Sequence, residues 1–391
     1  KEGVMASQQR EIYLDNNATT PVLPVAAAAA MHTMQRGFGN PSSSHATGIK
    51  AKAELESTRA LARQLIGAST GDIVFTSGAT EGIQTSIVSA LLAARERGLS
   101  GADILLLYGA TEHKAVPESL KHWNKVLQLN ATVQAIPVDQ HGQLDYNFIK
   151  TAQPHAAMIC TMAANNETGV IQPIQEVVAM AGKIPVHTDA VQSFKKVPLS
   201  YKDLGVTALT LSAHKVGGPL GIGALILRRA YEIPALLHGG GQEREIRSGT
   251  LNAPSIVAFS AAATEKYPSA EVQNLRDNFI KAVHHAIPDA YVNGEASQRL
   301  PGIVNVTFPG TQSDTLLLLL DNAHVSASTG SACSAGVHEA SHVLLAMGHT
   351  EATAQSSLRF SFGAASTQAD VDFVMSVLPD VINTGRAAHF K

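Results

Sequence analysis

The chain has 391 residues, 45% of them hydrophobic and 16% charged, and 29 Lys+Arg against 32 Asp+Glu leave a net charge of -3. That balance, with no cluster of Lys or Arg, argues against a nucleic-acid surface, and no apolar run approaches the length of a membrane span. Two cysteines, Cys160 and Cys333, are too few for a disulfide framework, and the polar start Lys1 to Arg10 lacks an apolar signal core, so a cytoplasmic protein starting naturally at Met5 is expected.

Length predicts two or three domains. Ala26 to Ala30 reads as a helix interior. Asp72 to Thr76 reads as a strand, Glu81 to Arg97 as a helix, Asp103 to Tyr108 as a strand and His113 to Asn124 as a helix. Ala156 to Met162 follows as a strand, Ile174 to Ala181 as a helix, and Pro185 to Thr188, Ala208 to Ser212 and Gly223 to Arg228 as strands. This alternation predicts an α/β layer on a largely parallel sheet, whose ligands gather at the carboxyl ends of the strands. From about Ser269 a smaller α+β region is expected. Its helices are Leu275 to Ile287, Thr315 to Leu320, Val343 to Met347 and Ala369 to Val381, and its strands Ile303 to Phe308 and Leu358 to Phe362.

Ser77, His113, Asn165, Asp189 and Lys215 all fall just after predicted strands, so one site could collect them. Lys215 follows an apolar strand and precedes a glycine cluster, Gly217 to Gly223. A strand-end lysine with an aspartate from a neighbouring strand end suits pyridoxal 5'-phosphate (PLP). The amine would form a Schiff base, and Asp189 would keep the pyridine nitrogen protonated, making the ring an electron sink. Thr76-Ser77-Gly78-Ala79-Thr80-Glu81-Gly82 joins a strand to a helix start and offers small hydroxyls and free N–H groups to a phosphate, although such residues also simply cap helices. Cys160 lies in an apolar run, where a buried inert thiol is ordinary. Cys333 lies in Ser328 to Gly336, a loop of small residues, and reads as an exposed thiol. His338-Glu339-Ala340-Ser341-His342 fits H-E-x-x-H, which would place both histidines on one helical face as in zinc peptidases; an adventitious metal site on Cys333, His338 and His342 is a weaker reading.

Taken in order, the blocks Leu14 to Pro21, Gly39 to Ser43, Thr76 to Glu81, Glu112 to Lys114, Asn165 to Pro173, His187 to Gln192, Ser212 to Lys215, Gly239 to Arg244, Arg247 to Asn252, Ser331 to Cys333 and Ser357 to Ser361 span nearly the whole chain. They resemble the cysteine desulfurase family, in class V of the PLP-dependent aminotransferases. The resemblance implies the fold type I architecture, with a large PLP-binding domain over residues 22–268 and a small domain over 5–21 and 269–391 carrying the nucleophilic cysteine loop. It implies that Lys215 forms the Schiff base and shuttles the proton, Asp189 pairs with the pyridinium, and His113 stacks on the ring and acts in acid–base steps. Gln192 would donate to the ring hydroxyl, and Asn166 would lie beside the ring oxygen and the substrate carboxylate. Ala79, Thr80, Ser212 and His214 would form the phosphate cradle, completed by Thr250 of a partner subunit in a homodimer. Arg359 would clamp the carboxylate of L-cysteine, and Cys333 would take the sulfur as a persulfide and pass it to an acceptor protein, with iron–sulfur cluster assembly one destination.

The chain departs from the family pattern at Gly217 and Leu220, where a tyrosine and a lysine are usual, at Gly82-Ile83-Gln84, and at His338 to His342. Rival readings are a selenocysteine lyase, another class V activity such as an aminotransferase, and more remotely a zinc peptidase; no metal is expected.

Overall fold

The computed structural model describes residues 11–229, 231, 233–330 and 339–389. The chain divides into two compact units. One is Thr19–Asn165 with Val170–Tyr267; the other takes in the chain up to Ala18, the short stretch Asn166–Gly169, and everything from Pro268 on.

The larger unit is built on seven strands: β1 (Gly71–Thr76), β2 (Leu105–Gly109), β3 (Thr132–Ile136), β4 (Ala156–Met162), β5 (Val186–Asp189), β6 (Ala208–Ser212) and β7 (Gly223–Arg228). Their order is β1-β7-β6-β5-β4-β2-β3. Only β7 runs antiparallel to its neighbours. Leu209, Leu211, Leu225, Ile226 and Leu227 are all buried, the near-continuous apolar pattern of strands covered on both faces. Helix Ala79–Glu96 lays Ile83, Ile87, Ala90, Leu91 and Ala94 into one cluster with Leu106, Met158 and Cys160, the spacing of a helical stripe. Because β1 and β6 each pair antiparallel with β7, they point the same way. The carboxyl ends of β1, β2, β4, β5 and β6 therefore share one edge of the sheet.

Three long helices were not expected in full. Pro24–Gln35 extends well beyond the alanine run, while Ala46–Leu65 and Ala253–Thr264 carry no earlier signal. Ala253–Thr264 is apolar on most sides (APSIVAFSAAAT), so it shows no periodic stripe. Strand β3 is also new; four of its five residues are exposed or half-buried, as suits an edge strand. The helix expected from His113 starts at Ala115, because the His113 ring takes the Ala115 N–H at 3.2 Å.

In the smaller unit, strand Ile303–Thr307 pairs antiparallel with both Ser357–Ser361 and Tyr291–Val292, placing Asn305 opposite Arg359. Helices Ser269–Ala286 and Gln368–His389 supply its apolar faces. Phe279 has no exposed surface and packs on Phe360 and Phe362, with ring centroids 4.9 and 5.6 Å away. The stretch Asn166–Gly169 is tied in by hydrogen bonds. The Asn166 carbonyl accepts from Arg359 Nη1 and Asn17 Nδ2, each at 3.0 Å, and the Gly169 carbonyl accepts from Leu300 N–H at 2.8 Å.

Truncating Phe279 leaves a void beside the Phe360 and Phe362 rings that cannot fully collapse. Phe279→Ala is expected to destabilise this unit by about 3–5 kcal/mol, read from its midpoint in a denaturant titration.

Candidate active site

The shared sheet edge of the larger unit carries the chemistry. After β1 the chain runs through Ser77 and Gly78 into the helix from Ala79. After β2 come Thr111, Glu112 and His113. After β4 comes Asn165, at the end of β5 Asp189, and after β6 His214 and Lys215. The parallel sheet thus brings Ala79, Thr80, His113, Asp189, Ser212, His214 and Lys215 to one edge.

Asp189 is the most constrained of them. It is 8% exposed. One oxygen accepts the Val191 N–H at 2.9 Å, the only hydrogen bond to its carboxylate among the described residues. Burial pushes its carboxyl up, while that N–H and the charges of His113 and Lys215 pull it back; the net direction is upward. A carboxylate held out of water needs a cationic or N–H partner. A protonated pyridine nitrogen is such a group, so the residues fit PLP in this respect.

They fit at the phosphate end too. Gly78 leads into an 18-residue helix with no side-chain cap, and the space beside its Cα is open. The first-turn N–H groups point outward by construction, at the positive end of the helix dipole. Thr80 is exposed there, and Ser212 is buried. Glu81 closes the flank: its carboxylate accepts from Ser77 N–H at 2.7 Å and from Arg247 Nε at 2.8 Å. Burial raises the Glu81 carboxyl, but these partners outweigh it and hold the group below its usual range.

The His113 ring has a fixed tautomer. Nδ1 accepts from Ala115 N–H, so a neutral ring carries its proton on Nε2. Glu112 is fully buried, accepts from Met162 N–H at 2.5 Å, and burial pushes its carboxyl well up. Gln192 is buried, and its Oε1 accepts from the equally buried Lys196 Nζ at 3.0 Å. His214 faces Thr19, Nδ1 to Oγ1 at 3.1 Å, and burial with the Lys215 charge lowers its ring to about 4. Gly217 has φ +81°, and a Cβ there would lie 2.4 Å from Leu23 Cγ. Leu23 thus occupies the room that a tyrosine at this position would need.

Thr250 is exposed, in a loop braced from within. The buried Glu243 carboxylate takes Arg59 Nη2 at 2.6 Å, Arg59 Nη1 at 2.9 Å and the Phe75 N–H at 2.7 Å. This clamp holds Glu243, Arg244 and Glu245 consecutively at positive φ (49°, 56° and 65°). Arg59 gave no sequence signal, since its partner is 184 residues away.

Asn166 and Arg359 belong to the smaller unit. Arg359 is 4% exposed and already engaged, with Nη2 on Asp15 at 2.6 Å and Nη1 on the Asn166 carbonyl. Its Nε is buried without a hydrogen-bond partner among the described residues. The expected bidentate clamp on substrate therefore starts from a guanidinium held by two protein oxygens.

Cys333 and His338 lie outside the described residues. The helical placement expected for H-E-x-x-H does not hold. Ser341 is the N-cap, its Oγ taking Leu344 N–H at 3.2 Å, and the helix runs His342–Ala346, so Glu339 precedes the helix. Serine capping at this position outcompetes continuation of the helix upstream. No group of three His, Cys, Asp or Glu side chains is clustered to hold a metal ion among the described residues.

Beneath the site, His187 on β5 is fully buried, and burial lowers its ring from 6.5 to about 3. The native state therefore keeps it neutral where the unfolded chain takes up a proton. This stabilisation is complete above pH 6.5 and is lost progressively as pH falls toward about 3. The thermal midpoint is expected to fall on acidification from pH 7.5 to 5, and His187→Gln to flatten that slope in paired melting curves.

The aminotransferase class-V family matches residues 12–374. An IscS-like cysteine desulfurase of Mycobacterium tuberculosis is 40% identical over 387 residues, covering 96% of this chain and 97% of the relative. Among solved structures, a NifS-like protein superposes with a TM-score of 0.87 at 31% identity, over 96% of this chain and all of the other. A structure of SspA in complex with cysteine gives a TM-score of 0.77 at 31% identity, covering 91% of this chain and all of the other. With its buried strand-end aspartate, the lysine after β6 and this near-full-length similarity, the chain belongs to the class-V aminotransferase family, among the cysteine desulfurases.

Proposed function

We propose that the protein is a PLP-dependent cysteine desulfurase that converts L-cysteine to L-alanine and carries the sulfur as a persulfide on Cys333. The observation that carries this reading is the buried Asp189 carboxylate on the same sheet edge as Lys215, His113 and the uncapped helix N-terminus. The relatives' names and the cysteine held by SspA support the substrate.

When bound, PLP supplies an electron sink for the substrate Cα. Asp189 would hold the pyridinium nitrogen. Gln192, its Oε1 fixed by Lys196, would offer its amide N–H groups to the ring hydroxyl. Ala79, Thr80, Ser212 and His214 would receive the phosphate, with Thr250 from the partner of a homodimer. Lys215 would hold the cofactor through its amine, and the same amine would move the proton from the substrate Cα. His113, its neutral ring protonated on Nε2 and seated at the same edge, would stack on the ring and serve the acid–base steps.

Arg359 and Asn166 orient the substrate carboxylate, which suits a planar guanidinium. Cys333, as the thiolate, attacks the substrate sulfur. A sulfur–sulfur bond forms, the substrate carbon–sulfur bond breaks, and its electron pair returns to the carbon side, which takes up a proton and leaves as alanine. The persulfide then passes to an acceptor protein. A cytoplasmic setting fits the two cysteines, and no helix among the described residues is long and apolar enough to cross a membrane.

Lys215→Ala is expected to abolish both turnover and the visible band of bound cofactor, and retained cysteine turnover would sink the reading. His113→Ala should slow turnover by about 10²–10⁴-fold. Peptide mass spectrometry after brief exposure to L-cysteine without reductant should find a persulfide on Cys333 and none in Cys333→Ser. Alanine formed with Cys333 unmodified would instead mark a lyase of the selenocysteine type.

A further inference from the structure

We infer that Glu167 is a positioning residue that pins both ends of the segment bearing Cys333, an inference that rests on the sulfur-carrying role proposed above for that cysteine. Glu167 is 1% exposed, in the stretch Asn166–Gly169 that packs with the smaller unit. It touches the chain on either side of Ser331–Ala340. On the far side, Ser341 Oγ donates a short hydrogen bond to Glu167 Oε2. On the near side, the backbone of Gly330 lies against the same carboxylate. A Cβ built on Gly330 would sit 2.9 Å from Glu167 Oε2 and 3.0 Å from Cγ and Cδ, at φ +84°. Only glycine allows that approach and that backbone conformation.

Each stem is also tied elsewhere. Ser328 exchanges backbone hydrogen bonds with Arg359 at 3.1 and 2.6 Å, and Gly330 N–H donates to Ser328 Oγ at 3.1 Å. Ser341, while donating to Glu167, accepts from Leu344 N–H and so starts the next helix. The residue before Glu167 closes the circuit, because the Asn166 carbonyl accepts from the Arg359 guanidinium. One dipeptide therefore joins the arginine proposed for the substrate carboxylate to both ends of the Cys333 segment.

The consequence is kinetic. Ten residues, Ser331 to Ala340, span between two fixed points. Fixing both ends removes part of the loop-closure entropy of that segment in advance, so fewer of its conformations compete with the one that reacts. Glu167 acts through its contacts with Gly330 and Ser341. Its loss should spare the steps at Lys215 and slow sulfur transfer to Cys333.

The test uses the holoenzyme and the variants E167A, E167Q and S341A. Rapid mixing with L-cysteine follows the early change in cofactor absorbance, quenched samples give persulfide on Cys333 by mass spectrometry, and iodoacetamide labelling gives Cys333 reactivity without substrate. In E167A the early absorbance change should keep its rate, persulfide formation should slow by about tenfold or more, and labelling should change. E167Q keeps the length and an acceptor for the Ser341 hydroxyl, so it should recover persulfide formation, and S341A should fall between. Persulfide formation at the wild-type rate in E167A, equal slowing of both steps, or an E167Q as defective as E167A would overturn the inference. Should E167A fail to fold, S341A alone decides: wild-type persulfide formation and labelling would overturn it. A wild-type enzyme that forms no persulfide would sink the role of Cys333, whereas the labelling comparison would still decide whether Glu167 governs the segment.

Discussion

A carboxylate kept out of water at the end of a parallel strand organises the larger unit. Ionised Asp189 has one backbone N–H and the nearby His113 and Lys215 to offset burial, and these do not fully restore its ordinary acidity. Such a group is unfavourable for stability alone, because an apolar side chain would fill the same place without desolvation. Its retention makes physical sense if a cation docks against it. The surrounding design follows from this need. Neutral His187 sits deeper on the same strand, burial pushes the nearby Glu112 carboxyl well up, and lysine and histidine stand at the rim.

The sheet order converts that local requirement into a site. Strands β4, β5 and β6 are parallel neighbours, and antiparallel β7 returns the chain so that β1 points the same way. The helix dipole after β1 therefore opens on the edge that carries Asp189 and Lys215. Strand direction alone thus sets an anion-attracting helix N-terminus and the Lys215 amine on the same edge.

The smaller unit solves a different problem. Arg359 sits in an edge strand with Asp15 and the Asn166 carbonyl on its guanidinium. The next residue, Glu167, holds the stems of the segment that contains Cys333. A stretch taken from the middle of the chain thus braces groups far from it in sequence. In the larger unit Arg59 and Glu243 do the same for the loop that presents Thr250.

By itself the sequence determined the α/β alternation, most central strands to within a residue or two, and the placement of Asp189 and Lys215 at the ends of neighbouring strands. All of these are written in local patterns: apolar runs of strand length, and small or titratable residues at their ends. It misled at His338 to His342, where the histidine spacing suited a helix but the Ser341 cap starts that helix only at His342. It was silent on the edge strand Thr132–Ile136 and on the uniformly apolar helix Ala253–Thr264, which lack a periodic stripe. Only the tertiary structure decided that Asn166–Gly169 leaves the unit that flanks it, that Arg359 is engaged before any substrate arrives, and that Glu167 meets Gly330 and Ser341. Those outcomes rest on contacts more than 130 residues apart in sequence, and no local pattern encodes which distant partner a buried group will find.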